Sequence, residues 1–260
     1  MENKWAIILG CSTGHGAATA KQLASEGYGI IGFHLDRGSI KKDALKLQDE
    51  ISNMNNNRVK FWNANAADKE IMLEKLIDIK KIVKNGEVKL LMHSIAFGST
   101  TNFFDPTPVR QRQMDMTQHV MAHCLIYWTQ NLLNEGLLKA GSRILGLTSE
   151  GSYKAMEGYG PVGVAKASLE AVVRQIGWEL GSQGITANTI QAGITPTRAL
   201  TKISENWEEW VEKTKERNPM KRVTRPEDVA GLVSLLLNDK ANFVNCSTIF
   251  CDGGEHRALQ

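Results

Sequence analysis

No long hydrophobic run occurs anywhere in this sequence. No stretch approaches the ~20 apolar residues of a membrane-spanning helix, and the N-terminal run Trp5–Leu9 is too short even for a signal-peptide core. The four cysteines (Cys11, Cys124, Cys246, Cys251) lack the paired spacing of a metal site, and six prolines in 260 residues form no linker. They read as reduced thiols of a cytoplasmic protein. An excess of one charge is missing too: 31 Lys+Arg against 28 Asp+Glu leave +3, too little to argue for nucleic acid or an anionic membrane. There is no internal repeat and no low-complexity tract. What remains is a chain of ordinary composition, able to bury about three quarters of its unfolded surface as one domain spanning 1–260.

Within that chain, short apolar runs alternate with amphipathic stretches. Ala6–Leu9, Ile30–Phe33, Val59–Asn63, Leu90–His93, Arg143–Thr148, Thr186–Ile190 and Thr248–Phe250 read as strands. Ala17–Glu26, Ile40–Met54, Lys69–Lys84, Val109–Glu135, Pro161–Leu180 and Pro226–Leu237 read as helices. Strictly alternating strands and helices predict a Rossmann-type α/β fold, a doubly wound parallel sheet with helices on both faces.

The first strand runs into Gly10-Cys11-Ser12-Thr13-Gly14-His15-Gly16 and then a helix. Glycines there let the backbone approach a pyrophosphate at the helix N-terminus, so Gly10, Ser12, Thr13, Gly14, His15 and Gly16 are candidate dinucleotide-binding residues. The Gly-x3-Gly-x-Gly spacing resembles the short-chain dehydrogenase/reductase family. Further segments extend that resemblance over nearly the whole chain: Asn63–Ala66, His93–Ala96, Ala192–Thr197, Asn218-Pro219, Arg225–Ala230 and Cys251–Gly254. It implies cofactor contacts at Asn65, Ala66, Ser94, Ile95, Ala96, Gly193, Ile194 and Thr197. At the end of the second strand His34 stands where NAD-dependent relatives carry an acid, while Arg37 offers a partner for a 2′-phosphate. With Asp36 between them, the segment leans to NADPH and leaves NADH possible.

The helix expected to carry the chemistry reads Tyr159-Gly160-Pro161-Val162-Gly163-Val164-Ala165-Lys166. Most short-chain dehydrogenases place a tyrosine four residues before the lysine, but Val162 stands there and has no ionisable group. Tyr159 lies seven residues before Lys166, two helical turns away on nearly the same face, so it must sit at or just before the helix start. This spacing, together with His93–Phe97 and Gly163–Glu170, resembles the enoyl-acyl-carrier-protein reductases within the family. That resemblance implies Tyr159, Lys166 and Ser149 as catalytic residues, with Ser149 at the end of the fifth strand characteristic of the NADPH-using branch. It further implies a trans-2-enoyl thioester of fatty acid synthesis as substrate, possibly on acyl carrier protein, and a homotetramer or dimer built through 109–135 and 161–180. Under this reading Lys166 lowers the Tyr159 pKa.

Other readings stand beside these. A serine at a strand end also caps its own turn, and Tyr153 is a further aromatic near the site. Met121 occupies the place of a relay asparagine in ordinary members, which weakens a ketoreductase reading. His119 and His123 lack a third ligand and predict no metal site. Residues 197–217 form the expected substrate cover, where Trp207, Trp210, Val211 and Thr214 line an acyl groove or simply pack a helix. The alternatives for function are a carbonyl or alcohol dehydrogenase, for instance on a 3-ketoacyl thioester, and a non-catalytic dinucleotide sensor.

Overall fold

The protein is described here by a computed structural model covering residues 3–104, 106–203 and 206–258. Seven strands form one parallel sheet in the order β3-β2-β1-β4-β5-β6-β7. They are β1 Lys4–Leu9, β2 Gly29–His34, β3 Val59–Asn63, β4 Glu87–His93, β5 Arg143–Thr148, β6 Thr186–Ala192 and β7 Thr248–Cys251. The helices are α1 Gly14–Ser25, α2 Ser39–Met54, α3 Lys69–Val83, α4 Gln111–Gln118, α5 Cys124–Asn134, α6 Gly160–Leu180, α7 Arg198–Ile203, α8 Trp207–Arg217 and α9 Pro226–Leu236. No helix among the described residues is long and apolar enough to cross a membrane.

Strands buried on both faces need apolar side chains in both directions, which is why the runs are continuous rather than alternating. In β1, Trp5, Ile7 and Leu9 join Met72 and Ile79 of α3, Trp128 of α5 and Leu169 and Val173 of α6 on one face. Ala6 and Ile8 join Ala20 and Leu23 of α1, Ile51 of α2 and Val229 and Val233 of α9 on the other. Each of these buried Leu, Ile, Val and Met side chains contributes roughly 1.5–3 kcal/mol.

The winding direction reverses between β1 and β4, and in open α/β sheets the crevice at that reversal, beyond the strands' carboxyl ends, is the ligand site. Here the packing is close: a Cβ on Gly10 would lie 2.5 Å from the Ser94 carbonyl oxygen, and one on Gly16 1.9 Å from that of Gly10. Only glycine fits at either position.

The structure departs from the sequence expectation in two places. The helical stretch expected from Val109 to Glu135 starts at Gln111 and divides at a widened π turn, His119–His123. At that turn the Val120 carbonyl accepts from the His93 ring (Nε2, 3.0 Å) and the Cys124 thiol (3.2 Å), contacts with no periodic signature. The helical stretch expected between Thr197 and Arg217 comes as two helices, α7 of six residues and α8, and six residues are too few to show a helical period of their own.

Candidate active site

Tyr159 is the residue immediately before α6, with Pro161 in the first turn behind it. Its ring needs room, and two glycines provide it. A Cβ on Gly151 would sit 2.3 Å from the ring, and one on Gly163 2.6 Å from the Gly151 carbonyl that flanks it. The ring packs with Met121, Val162 and Ala165, so Val162, at the ordinary tyrosine position, is apolar packing for the displaced one. The hydroxyl lies 3.2 Å from Ser149 Oγ. Ser149 makes no side-chain cap to its own turn, so its hydroxyl is directed to the tyrosine.

Lys166 lies two turns along α6, buried at 6% exposure, with Nζ donating to the Leu147 carbonyl at 2.7 Å. Burial lowers its pKa to about 8, against the opposing pull of Glu170. Tyr159 moves the other way. Burial raises its pKa above the ordinary value, partly offset by the Ser149 hydrogen bond. The expected lowering by Lys166 is not what sets the direction: removing the phenolate from water does, and the nearby Glu150 charge adds to it.

A cavity of about 770 Å³ opens beside this pair. His15, Ser149, Tyr159, Gly193, Ile194 and Thr197 all line it, gathering residues from four separate segments of the chain. Lys166 is buried behind the wall rather than part of it. The cover contributes Leu200 and Ile203 from α7 and Trp210 and Thr214 from α8. Trp207 and Val211 instead pack with Leu200 and Val223, so the predicted stripe splits between groove and packing. Ser204 and Glu205 of the cover lie outside the described residues.

The remaining candidates are more dispersed. α1 begins at Gly14 (φ +56°) with Thr13 before it, no side-chain cap and no acid in its first turn. Such an end presents free N–H groups and a positive dipole to an anion. His15 Nδ1 is buried without a partner, and burial, followed by the Lys166 charge, lowers the ring pKa to about 4. An orphaned nitrogen at an uncapped helix start fits a phosphate-bearing ligand beside Ser12 and Gly16. Ser94 is tied by its N–H to the Leu9 carbonyl at 2.8 Å, and Ile95 packs partly into the core beside Ala96. Asn65 closes a local turn onto Ala67, while the Ala66 carbonyl accepts from Trp128 Nε1 at 2.8 Å, leaving Ala66 a core residue. Asp36 Oδ2 is buried 2.9 Å from the His34 ring, whereas Arg37 is exposed.

Sequence reasoning missed two groups at this end of the sheet, and the burial of a third. Gln191 lines the cavity and donates to the Tyr153 hydroxyl (3.1 Å). Glu255 and Arg217 face each other at 3.3 Å in the cavity wall. His93 is fully buried. Because a carbonyl only accepts, its Nε2 carries the proton to Val120 and its Nδ1 keeps a lone pair without a partner. Burial lowers the His93 pKa to about 4. No motif announces Gln191, Arg217 or Glu255, and the motif segment that starts at His93 does not announce its burial, since each acquires its neighbours only through the fold. His119, weighed as a metal ligand, bonds the Ala67 carbonyl at 2.7 Å.

A family model described as enoyl-(acyl carrier protein) reductase matches residues 10–256. The chain is 29% identical over 259 residues to the enoyl-[acyl-carrier-protein] reductase [NADH] FabI of Enterococcus faecalis, covering 98% of each. It is 27% identical over 260 residues to the [NADPH] FabI of Staphylococcus aureus, again covering 98% of each. The dehydrogenase/reductase SDR family member 4 of Sus scrofa is 24% identical over 263 residues, covering 98% of this chain and 88% of that one. Among solved structures, the enoyl-(acyl-carrier-protein) reductase of Anaplasma phagocytophilum in complex with NAD superposes with a TM-score of 0.82. It covers 100% of this chain and 94% of the other at 23% identity, a likeness of fold. With nearly its full length matched, this chain belongs to the enoyl-(acyl carrier protein) reductase family of short-chain dehydrogenases/reductases.

Proposed function

We propose that the protein reduces the C=C bond of a trans-2-enoyl thioester with NADPH, as a single domain in which cofactor and substrate meet in the 770 Å³ cavity. The observation that carries the reading is the Ser149–Tyr159 hydroxyl pair, 3.2 Å apart, with an apolar Val162 where a ketoreductase tyrosine would stand. The comparisons support it by family. They include both NADH and NADPH enzymes, and the preference for NADPH rests on exposed Arg37 beside an Asp36 carboxylate turned inward to His34.

A bound reduced nicotinamide would supply hydride for the β-carbon of the conjugated thioester. As negative charge builds on the thioester oxygen, the Tyr159 hydroxyl donates a hydrogen bond where that charge develops, and the α-carbon takes up a proton from Tyr159 or solvent to complete the reduction. A raised tyrosine pKa suits this role, because the hydroxyl must hold its proton in order to donate it. Ser149 fixes the phenol and serves as an auxiliary donor. Lys166, its ammonium fixed by the Leu147 carbonyl, would hold the ribose hydroxyls. The uncapped start of α1, with Ser12, Thr13, His15 and Gly16, would take the pyrophosphate. Leu200, Ile203 and Trp210 exclude water and hold the acyl chain. Exposed Trp178 on α6 and Tyr127 on α5 support association of copies through these helices.

The test is a turnover assay crossing NADH and NADPH with a trans-2-enoyl and a 3-ketoacyl thioester. Enoyl-dependent oxidation of NADPH is the expected result. Turnover of the ketoacyl compound alone would move the assignment to carbonyl reduction, and cofactor binding without turnover of either would make the protein a sensor.

A further inference from the structure

Beyond β7 the chain turns sharply, and the turn is built around one buried acid. Asp252 Oδ1 accepts from Gly254 N at 2.9 Å, and Oδ2 accepts from His256 N at 3.0 Å with the His256 ring 2.6 Å away. Its carbonyl accepts from Asn218 Nδ2 at 2.8 Å. Gly253 and Gly254 take φ values of +64° and +90°, which a side chain would strain. The turn so fixed drives Glu255 inward to 4% exposure, where its carboxylate forms part of the cavity wall.

There Oε2 accepts from the backbone N–H of Ile194 at 3.1 Å, and Oε1 accepts from Arg217 at 3.3 Å. A Cβ on Gly193 would lie 2.4 Å from Oε2, so the carboxylate occupies space that glycine leaves at position 193. A carboxylate offers about four acceptor sites, and two donors reach this one among the described residues. Burying it so sparsely bonded is unfavourable, and burial raises its pKa above the ordinary carboxylate value. Glu255 lines the cavity beside Gly193 and Ile194, within reach of the segment Ala192–Thr197 that the family resemblance assigns to the nicotinamide and phosphates.

We propose that Glu255 is a cofactor-positioning residue, whose carboxylate accepts a hydrogen bond from the N–H of the nicotinamide carboxamide while remaining anchored to Ile194 and Arg217. The assignment rests on the dinucleotide reading of this cavity and is independent of which substrate is reduced. It makes the C-terminal turn a part of the cofactor site that the glycine loop does not announce.

The test compares binding of two reduced dinucleotides to the full chain, followed by fluorescence titration: NADPH, and its 3-acetylpyridine analogue, which keeps the carbonyl and lacks the amide N–H. The unaltered protein is expected to prefer NADPH by about ten- to hundredfold, the range of a hydrogen bond to a charged group. Glu255→Leu is expected to bind the two within about twofold of each other. Glu255→Gln retains a neutral acceptor and is expected to keep part of the preference. If the leucine variant does not fold, the glutamine variant carries the test, with a several-fold drop in discrimination expected. Equal binding by the unaltered protein, or discrimination left intact in the variants, overturns the proposal. Tighter NADPH binding by Glu255→Leu also overturns it, by showing that the carboxylate competes for the Ile194 N–H. Binding of neither dinucleotide to the unaltered protein overturns the cofactor reading itself.

Discussion

The two walls of the cavity are made differently. On one side Ser149 and Tyr159 stand at the end of β5 and the start of α6, backed by the sheet, by glycines that admit only one ring position, and by apolar packing on Met121 and Val162. On the other side Leu200, Ile203 and Trp210 stand on two short helices, α7 and α8, whose exposed faces are charged. The Arg217–Glu255 ion pair and the Asn218–Asp252 hydrogen bond tie this cover's end to the C-terminal turn. Chemistry needs reacting groups held to a fraction of an ångström, which the first wall can do. Admitting and releasing a long flexible substrate needs a wall that gives, and low local packing allows that.

The largest effect should come from the rigid wall. Tyr159→Phe keeps the ring and its packing and removes only the donor that the proposed mechanism aims at the developing charge. Turnover should fall by about 10²–10⁴-fold while cofactor affinity, measured by titration, stays within twofold. Near-normal turnover would remove the chemical half of the comparison.

Lys166→Met should act on binding first, weakening cofactor by about ten- to hundredfold through loss of a charged donor. The lysine pKa of about 8 also fixes a pH dependence. The ammonium is present below that value and lost above it. Cofactor affinity of the unaltered protein should therefore be flat below pH 7 and weaken as pH rises through 8. The variant should show no such step.

The rigid wall carries a stability cost of its own, at His93. Its pKa in the folded protein, about 4, lies below the ordinary histidine value of 6.5, so the folded state resists protonation. Its contribution is complete above pH 6.5 and is lost as pH falls towards 4. Between pH 7 and pH 5 the expected loss from this residue is about 2 kcal/mol. His93→Gln should flatten that acid limb in urea unfolding measured at the two pH values.

The same contrast governs what could be read without a structure. Strands such as Arg143–Thr148 were legible because burial on both faces leaves continuous apolar runs. The glycine loop was legible because its spacing follows from backbone contact with a ligand. Tyr159 could be placed at the helix start from its distance to Lys166 and from Pro161 alone. The π turn at His119–His123 could not, because it depends on a side chain from β4 meeting Val120 across the fold. Glu255 was hidden for a similar reason: only the packing of β6, α8 and the C-terminal turn brings it to Ile194. The sign of the tyrosine shift also needed the structure, because burial and the Ser149 hydrogen bond oppose each other and only depth decides between them.

The smallest effect, and the sharpest for the cover, concerns Trp210. Its ring lines the cavity while also packing on Leu200 and Val211, so Trp210→Ala should open space along the acyl path without touching the hydroxyl pair. One or two methylenes' worth of lost contact is roughly 1–2 kcal/mol, or about five- to thirtyfold in KM for a long-chain enoyl thioester. A four-carbon thioester, with little chain to lay along the cover, should show KM within twofold of normal, and kcat should hold for both. If kcat falls along with the KM change, the cover takes part in positioning the reacting atoms, and the division of labour between the walls is wrong. If KM rises equally for short and long chains, Trp210 holds the shape of the cover rather than the chain within it.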